Sequence, residues 1–279
     1  MNFAYAAPPF APTGGALDTE TVLGIIPARM GSRRLPGKPL QLLAGRPLIE
    51  WVWRRAASFA VLDACVIATD AESVAATGRA MGAEVVLTSP LHESGTARAA
   101  EVVTFEAYRD YGIIVNVQGD EPFIRESDIA AAVAEVRAGH DIGTVAAPVR
   151  TLGAWRDPAV VKVTRRRDGA ALYFSRAPIP FARDREPTTE ELAGPGFLRH
   201  IGVYAYKREA LLAWSRLPAS HLEATERLEQ LRALEAGLSI GVGVVEEAEG
   251  GIDTAADLAR AEAILKQGME PGLSPIGER

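Results

Sequence analysis

Short runs of β-branched and other apolar residues alternate with longer amphipathic segments through the first half of the chain. VLGIIPA, ACVIATD, AEVVLTS, YGIIVNVQGD and IGTVAAPVR predict strands, being short, continuously apolar and bounded by turn residues. PLIEWVWRRAASF, AESVAATGRAMG, TARAAEVVTFEAYRD and ESDIAAAVAEVRAG predict the helices between them. This rhythm implies an α/β fold, with a mostly parallel sheet covered by helices on both faces. Strands in such a sheet are buried on both sides, so their apolar runs are continuous instead of alternating.

After Arg150 the rhythm changes. VVKVTRRRDGAALYFSRAPIPF predicts two strands around a turn ending in Asp168-Gly169, and residues 183–196 a long polar loop. HIGVYAYKREALLAW predicts a strand and a helix, and LEATERLEQLRALEAG one further helix. SIGVGVVEE predicts a last strand and DTAADLARAEAILKQ a closing helix. The expected organisation is one domain over residues 21–268, with a smaller α+β insertion at about 150–235 across one edge. Residues 1–20 and 269–279 are expected to be disordered tails.

Composition narrows the classes. No apolar run approaches the roughly 18 residues of a membrane span. The first 20 residues lack the basic start of a signal peptide and the arginines of a transit peptide. The single cysteine, Cys65, excludes an internal disulfide, fits a reducing cytoplasm and sits in a strand where packing is its expected role. The four histidines are scattered, with no Cys/His zinc spacing. A net charge of -6 and a pI near 5.4 argue against a nucleic-acid partner. A cytoplasmic protein with neither membrane nor nucleic-acid partners is expected.

Against that acidic background, PARMGSRRLPGKPL concentrates Arg29, Arg33, Arg34 and Lys38, and no acid occurs between Glu20 and Glu50. The loop follows the first predicted strand, at the strand end where open parallel sheets bind ligands. Glycine amides and several cations there suit a polyphosphate; the plainer alternative is a solvated basic loop. A Walker loop is excluded. Five residues, not four, separate Gly31 from Gly37, and Lys38 precedes Pro39, which offers neither N–H nor hydroxyl.

VNVQGDEPF ends another strand with Asp120 and Glu121, facing the same cleft. Magnesium binds through one or two carboxylates plus substrate phosphates, which makes Asp120 a candidate ligand; alternatively the pair caps the next helix. Asp253 in GGIDTAADL is either a second ligand or the N-cap of the closing helix. Glu226 and Gln230, four apart on one predicted helix, share a face and are either aimed at a ligand or solvated. His200 and Tyr204 alternate in phase on HIGVY and point to one side. Arg176 follows a strand and either meets an anion or makes a structural salt bridge.

Together PAR…RLPGKPL, HESGTARAAEV, VNVQGDEP, ALYFSRAPIPF, HIGVYAY and LEQLR, in this order, resemble the blocks of the CMP-Kdo synthetases, the 3-deoxy-manno-octulosonate cytidylyltransferases. The resemblance runs from about Val22 to Leu265. It implies a nucleotide-diphospho-sugar-transferase-like, Rossmann-like fold. It also implies Mg²⁺-dependent transfer of CMP from CTP to the anomeric hydroxyl of 3-deoxy-D-manno-octulosonate (Kdo), serving lipopolysaccharide synthesis. By resemblance Arg29, Lys38 and Asp120 are catalytic, and Arg29, Lys38 and Arg34 bind the triphosphate. Ser94, Thr96 and Arg98 surround the nucleoside, with Gln118 between nucleotide and sugar. Asp120 and Asp253 hold Mg²⁺, and Arg176, His200, Tyr204, Glu226 and Gln230 line the sugar pocket. A homodimer is implied as well. Three features depart from the family pattern: the Met30–Arg33 run, Ala159, and a short approach to Asp253. A related sugar acid, 8-amino-Kdo or a nonulosonate, is the alternative substrate, and a non-catalytic nucleotide-binding homologue the alternative class.

Overall fold

The strands form where continuous apolar runs find cover on both faces. In chain order they are β1 (Val22–Ala28), β2 (Leu42–Leu43), β3 (Arg46–Pro47), β4 (Ala64–Thr69), β5 (Glu84–Leu87) and β6 (Ile113–Asn116). β7 (Ile142–Pro148), β8 (Lys162–Arg165), β9 (Ala171–Ser175), β10 (Leu198–Lys207) and β11 (Ile240–Val244) follow. The first helices are α1 (Leu48–Ala56), α2 (Glu72–Ala80), α3 (Gly95–Val102), α4 (Glu126–Arg137) and α5 (Leu152–Arg156). The later ones are α6 (Thr189–Leu192), α7 (Arg208–Trp214), α8 (His221–Glu226), α9 (Gln230–Glu235) and α10 (Ala255–Lys266). This computed structural model describes residues 21–32, 34–246 and 251–266; the two predicted tails and Arg33 lie outside the described residues.

The main sheet runs β11-β7-β10-β6-β1-β4-β5. Within it β1 pairs in parallel with β4 and β6, β4 with β5, and β7 with β11; β10 opposes both β6 and β7. The expected mostly parallel α/β sheet is therefore present. Residues 150–235 contribute β10 to its centre, and the β8–β9 hairpin, turning at Gly169, to its flank.

Alternate residues of each strand feed opposite cores. Leu23 and Ile25 of β1 join Ala99, Val102, Phe174, Trp214 and Leu231 on one face. Val22 and Ile26 join Ile49, Val52, Val74, Ile129 and Val133 on the other. A smaller cluster of Leu35, Leu43, Leu48, Phe123, Ile252 and Ala261 fastens the basic loop to α1 and α10.

The helix expected over LEATERLEQLRALEAG is two helices. Tertiary bonds end α8: the Glu226 carboxylate accepts from Ser175 Oγ (2.6 Å) and from the Arg176 N–H (2.9 Å). The Arg176 guanidinium in turn donates to the carbonyls of Glu226 (2.8 Å) and Pro158 (2.9 Å). Arg227 then turns left-handed, at φ 54°, before α9 begins. The polar loop 183–196 likewise contains α6, a single turn closed by a Thr188–Glu191 capping box over buried Leu192.

Lys162 is fully buried, and its ammonium donates to the carbonyls of Asp157 (2.9 Å), Val160 (2.6 Å) and Arg176 (2.6 Å). Burial holds it below the ordinary lysine range. It ties the 157–160 loop to the end of β9, from which Arg176 grips α8. Removing the donor strands three carbonyls. Lys162→Met is expected to lower stability by about 2–4 kcal/mol in urea unfolding.

Candidate active site

The chain passes from β1 outward to β4 and β5, then returns to place β6 on the other side of β1. That reversal opens a crevice beyond the carboxyl ends of β1 and β6, where ligands bind in open α/β sheets. A cavity of about 770 Å³ occupies it. Its walls are residues of the basic loop between Pro27 and Pro39, Ser94, Gly95 and Arg98 at the start of α3, Gln118–Asp120 after β6, and Asp253. Gly119 permits this closeness: a Cβ there would lie 2.7 Å from the Pro27 carbonyl oxygen.

At its centre the Lys38 ammonium meets Asp120 Oδ2 at 2.6 Å and Asp253 Oδ1 at 2.9 Å. Arg34 also reaches Asp253 Oδ1, at 2.9 Å. Burial pulls the Lys38 ammonium down, but the carboxylates of Asp120 and Asp253 more than offset it, holding it above the ordinary lysine value. The two acids are brought together by backbone: the Ile252 N–H donates to the Asp120 carbonyl at 2.8 Å. Both capping alternatives fail. Thr254 Oγ1 accepts from the Asp257 N–H at 3.2 Å and so opens α10, leaving the Asp253 carboxylate to the cavity. Arg125, not an acid, precedes α4. Behind Asp120, burial and the carboxylates of Asp120, Asp128 and Asp253 push Glu121 up to about 8, so near neutral pH it is mostly uncharged.

Among the described residues no three His, Cys, Asp or Glu side chains are grouped to hold a metal. Two carboxylates that converge on one cation beside a wall of Arg29, Arg34 and Lys38 fit Mg²⁺, which would draw its remaining ligands from phosphate oxygens and water.

On the nucleotide side, Arg29 Nη1 donates to the Glu93 carbonyl at 2.8 Å. Ser94 caps α3, accepting from the Ala97 N–H at 3.2 Å. Arg98, 2% exposed, is held by Thr88 Oγ1, the Ser89 carbonyl (3.4 Å) and Asp70 (3.4 Å). The Gln118 amide donates to the Gly202 carbonyl at 3.3 Å. Thr96 points away from the cavity, its hydroxyl 3.4 Å from Glu229 Oε2.

The residues expected around the sugar form a neighbouring group under β10, outside the walls of this cavity. His200 and Tyr204 do share a side, with ring centroids 5.4 Å apart, and His200 Nε2 lies 2.9 Å from Thr144 Oγ1. Arg176 and Glu226 are engaged at the α8 end described above, and Gln230 is 4% exposed at the start of α9. Two acids went unremarked in the sequence. Asp70 follows β4 at the same sheet edge as Asp120, so its strand-end position was the signal. Glu229 joins the two groups: burial raises its carboxyl, while Arg232 and Arg29 draw it down and Thr96 touches it. Nothing in the sequence pattern marks Glu229, because the break at Arg227 is what brings it to Thr96.

This arrangement is that of a nucleotidyltransferase, and the family model described as cytidylyltransferase matches residues 23–240. A 3-deoxy-manno-octulosonate cytidylyltransferase of Gemmatimonas aurantiaca is 48% identical, over 86% of this chain and 92% of the relative. Its namesake in Xanthomonas axonopodis pv. citri is 46% identical, over 85% and 93%. A solved structure of CMP:2-keto-3-deoxy-manno-octonic acid synthetase complexed with CTP superposes with a TM-score of 0.81 at 37% identity. It covers 89% of this chain, and this chain covers 99% of it. The chain belongs to the 3-deoxy-manno-octulosonate cytidylyltransferase (CMP-Kdo synthetase) family of enzymes.

Burial pushes His200 down to about 3, so it is uncharged near neutrality. An unfolded histidine titrates near 6.5, so between those values the unfolded chain binds the extra proton. The contribution is fully present above about pH 6.5 and is lost as pH falls towards 3. His200→Gln is expected to lose less stability than the parent between about pH 7 and pH 5. The difference, read from urea midpoints, is about 1–2 kcal/mol.

Proposed function

We propose that the chain transfers CMP from CTP to the anomeric hydroxyl of Kdo, releasing pyrophosphate, in an Mg²⁺-dependent reaction. The observation that carries this reading is the convergence of Asp120 and Asp253 on one cation inside a cavity walled by Arg29, Arg34 and Lys38. The relatives' names and the CTP complex of the structural neighbour support the choice of both substrates.

In this reading Arg29, Arg34 and Lys38 neutralise the triphosphate, and Ser94, Arg98 and Gln118 position the nucleoside, whereas Thr96, expected beside them, faces Glu229. Arg176, His200, Tyr204, Glu226 and Gln230 orient the sugar acid. The anomeric oxygen forms a bond to the α-phosphorus as the bond to pyrophosphate breaks. Asp120 and Asp253 would hold Mg²⁺, which when bound offsets phosphate charge and lowers the pKa of an attacking hydroxyl. Charge building on the departing pyrophosphate falls to Arg29 and Lys38. The same reading includes a homodimer working in the cytoplasm and supplying lipopolysaccharide synthesis. No helix among the described residues is long and apolar enough to cross a membrane.

Pyrophosphate release from CTP and Mg²⁺, with Kdo, its 8-amino derivative and sialic acid compared in parallel, tests the proposal. Kdo is expected to give the highest kcat/KM. Absence of release with all three, despite measurable CTP binding, would show a non-catalytic homologue. Asp120→Asn is expected to cut turnover by about 100-fold or more while its circular dichroism and urea midpoint stay near the parent's.

A further inference from the structure

Lys38 reaches the carboxylates with a side chain that can leave them, from a backbone that cannot. Its backbone is set in a 3-10 turn (Lys38–Leu40): Gly37 enters at φ 65°, and the Lys38 N–H donates to the Leu35 carbonyl at 3.2 Å. Pro39 follows, buried. Beyond Cα, a flexible four-carbon stem carries the ammonium.

The backbones that carry the two carboxylates are held without Lys38. Asp120 is fixed through its carbonyl by the Ile252 N–H, and the Asp253 N–H donates to Asp257 Oδ2 at 3.1 Å. With both backbones fixed, the two carboxylates stay within reach of one shared cation position whichever cation fills it. Lys38 holds that position with two charge-assisted bonds, while Arg34 takes a second contact on Asp253 Oδ1. Two carboxylates are thus matched by two cations.

A divalent cation that uses the same oxygens has to evict the ammonium, because like charges repel strongly at contact distance in a partly buried site. The evicted Lys38, whose side chain is only 14% exposed, is then short of a partner. Only an anion of comparable charge in the same cavity, walled also by Arg29 and Ser32, can receive it.

We propose that Lys38 competes with the divalent cation for Asp120 and Asp253, and that a polyphosphate, by drawing Lys38 off the carboxylates, couples metal binding to nucleotide binding. The inference rests on the reading of Asp120 and Asp253 as the metal carboxylates. By linkage the coupling is reciprocal: whatever factor CTP adds to metal affinity, the metal adds to CTP affinity.

Mn²⁺ binding, followed by electron paramagnetic resonance of the free ion in the absence of sugar, tests this. The full-length parent is compared with Lys38→Met, each alone, with CTP and with inorganic tripolyphosphate. Lys38→Met alone is expected to bind Mn²⁺ about tenfold or more tightly than the parent alone. The enhancement by CTP, large in the parent, is expected to shrink in the variant, and tripolyphosphate is expected to enhance the parent as CTP does. Mn²⁺ alone is expected to raise the Tm of the variant and not of the parent. Lys38→Gln repeats the comparison if Lys38→Met does not fold. Equal Mn²⁺ affinity of parent and variant without polyphosphate overturns the proposal. Asp120→Asn separates the two levels. If it abolishes Mn²⁺ binding while Lys38 variants change nothing, only the Lys38 proposal fails. If Mn²⁺ binding with CTP is indifferent to Asp120→Asn, the metal reading fails and the proposal with it.

Discussion

Two carboxylates held at one point repel unless a cation lies between them, and the rest of this fold is arranged around that constraint. Asp120 lies in the loop after β6 of the central sheet, whereas Asp253 precedes the last helix. A single backbone hydrogen bond, from the Ile252 N–H to the Asp120 carbonyl, sets them side by side. The cost is visible in Glu121, pushed up to about 8 by burial and by Asp120, Asp128 and Asp253 around it. An additional charge behind the pair is avoided by keeping that carboxyl protonated. Lys38 and Arg34 supply the opposing charge from the other wall.

The sheet makes such a meeting possible. With β1 between β4 and β6, the loops after β1 and β6 diverge over a crevice, and Gly119 lets one lie against the other's backbone. The small cluster of Leu35, Leu43, Phe123 and Ile252 then welds the basic loop to the segment bearing Asp253. Apolar packing thus fixes the distance across which the charges act, and the charges need no long-range reach. The absence of acids between Glu20 and Glu50 acquires a local reason: an acid in that loop would compete with Asp120 and Asp253 for Lys38.

Much of this was legible in the sequence, where local pattern and strand-end position carry the information. Continuous apolar runs marked β1, β4, β6 and β7, and the same runs located Arg29, Lys38 and Asp120 at strand ends. Asp253 stayed ambiguous because an acid before a helix is also a cap, and only the geometry of Thr254 and Asp257 assigns capping elsewhere. What could not be read were features made by contacts distant in sequence. LEATERLEQLRALEAG has an unbroken helical pattern, yet Arg176 and Ser175 seize its middle and turn Arg227 left-handed. The pairing of Glu226 with Gln230 on one face, sound for a continuous helix, dissolves with that break, and Gln230 is buried while Glu229 meets Thr96. Lys162 was equally silent, since a lysine in a strand gives no sign that three carbonyls await it.

The two halves of the site differ in electrical character, and burial is what divides them. Around Lys38 the carboxylates of Asp120 and Asp253 are matched by Lys38 and Arg34. Under β10, burial pushes His200 down and raises Tyr204 and Tyr206 further above a range already protonated at neutrality, so these three rings offer hydrogen bonds without charge beside the Arg176–Glu226 contact. The charged groups of that half, Arg176 and Glu226, are bonded at the end of α8 and so have partners other than Arg29 and Lys38. Glu229 lies between the two groups, against Thr96, and burial raises its carboxyl as it does that of Glu121. Holding the charge where the phosphorus reacts therefore depends as much on the side chains kept neutral as on those kept ionised.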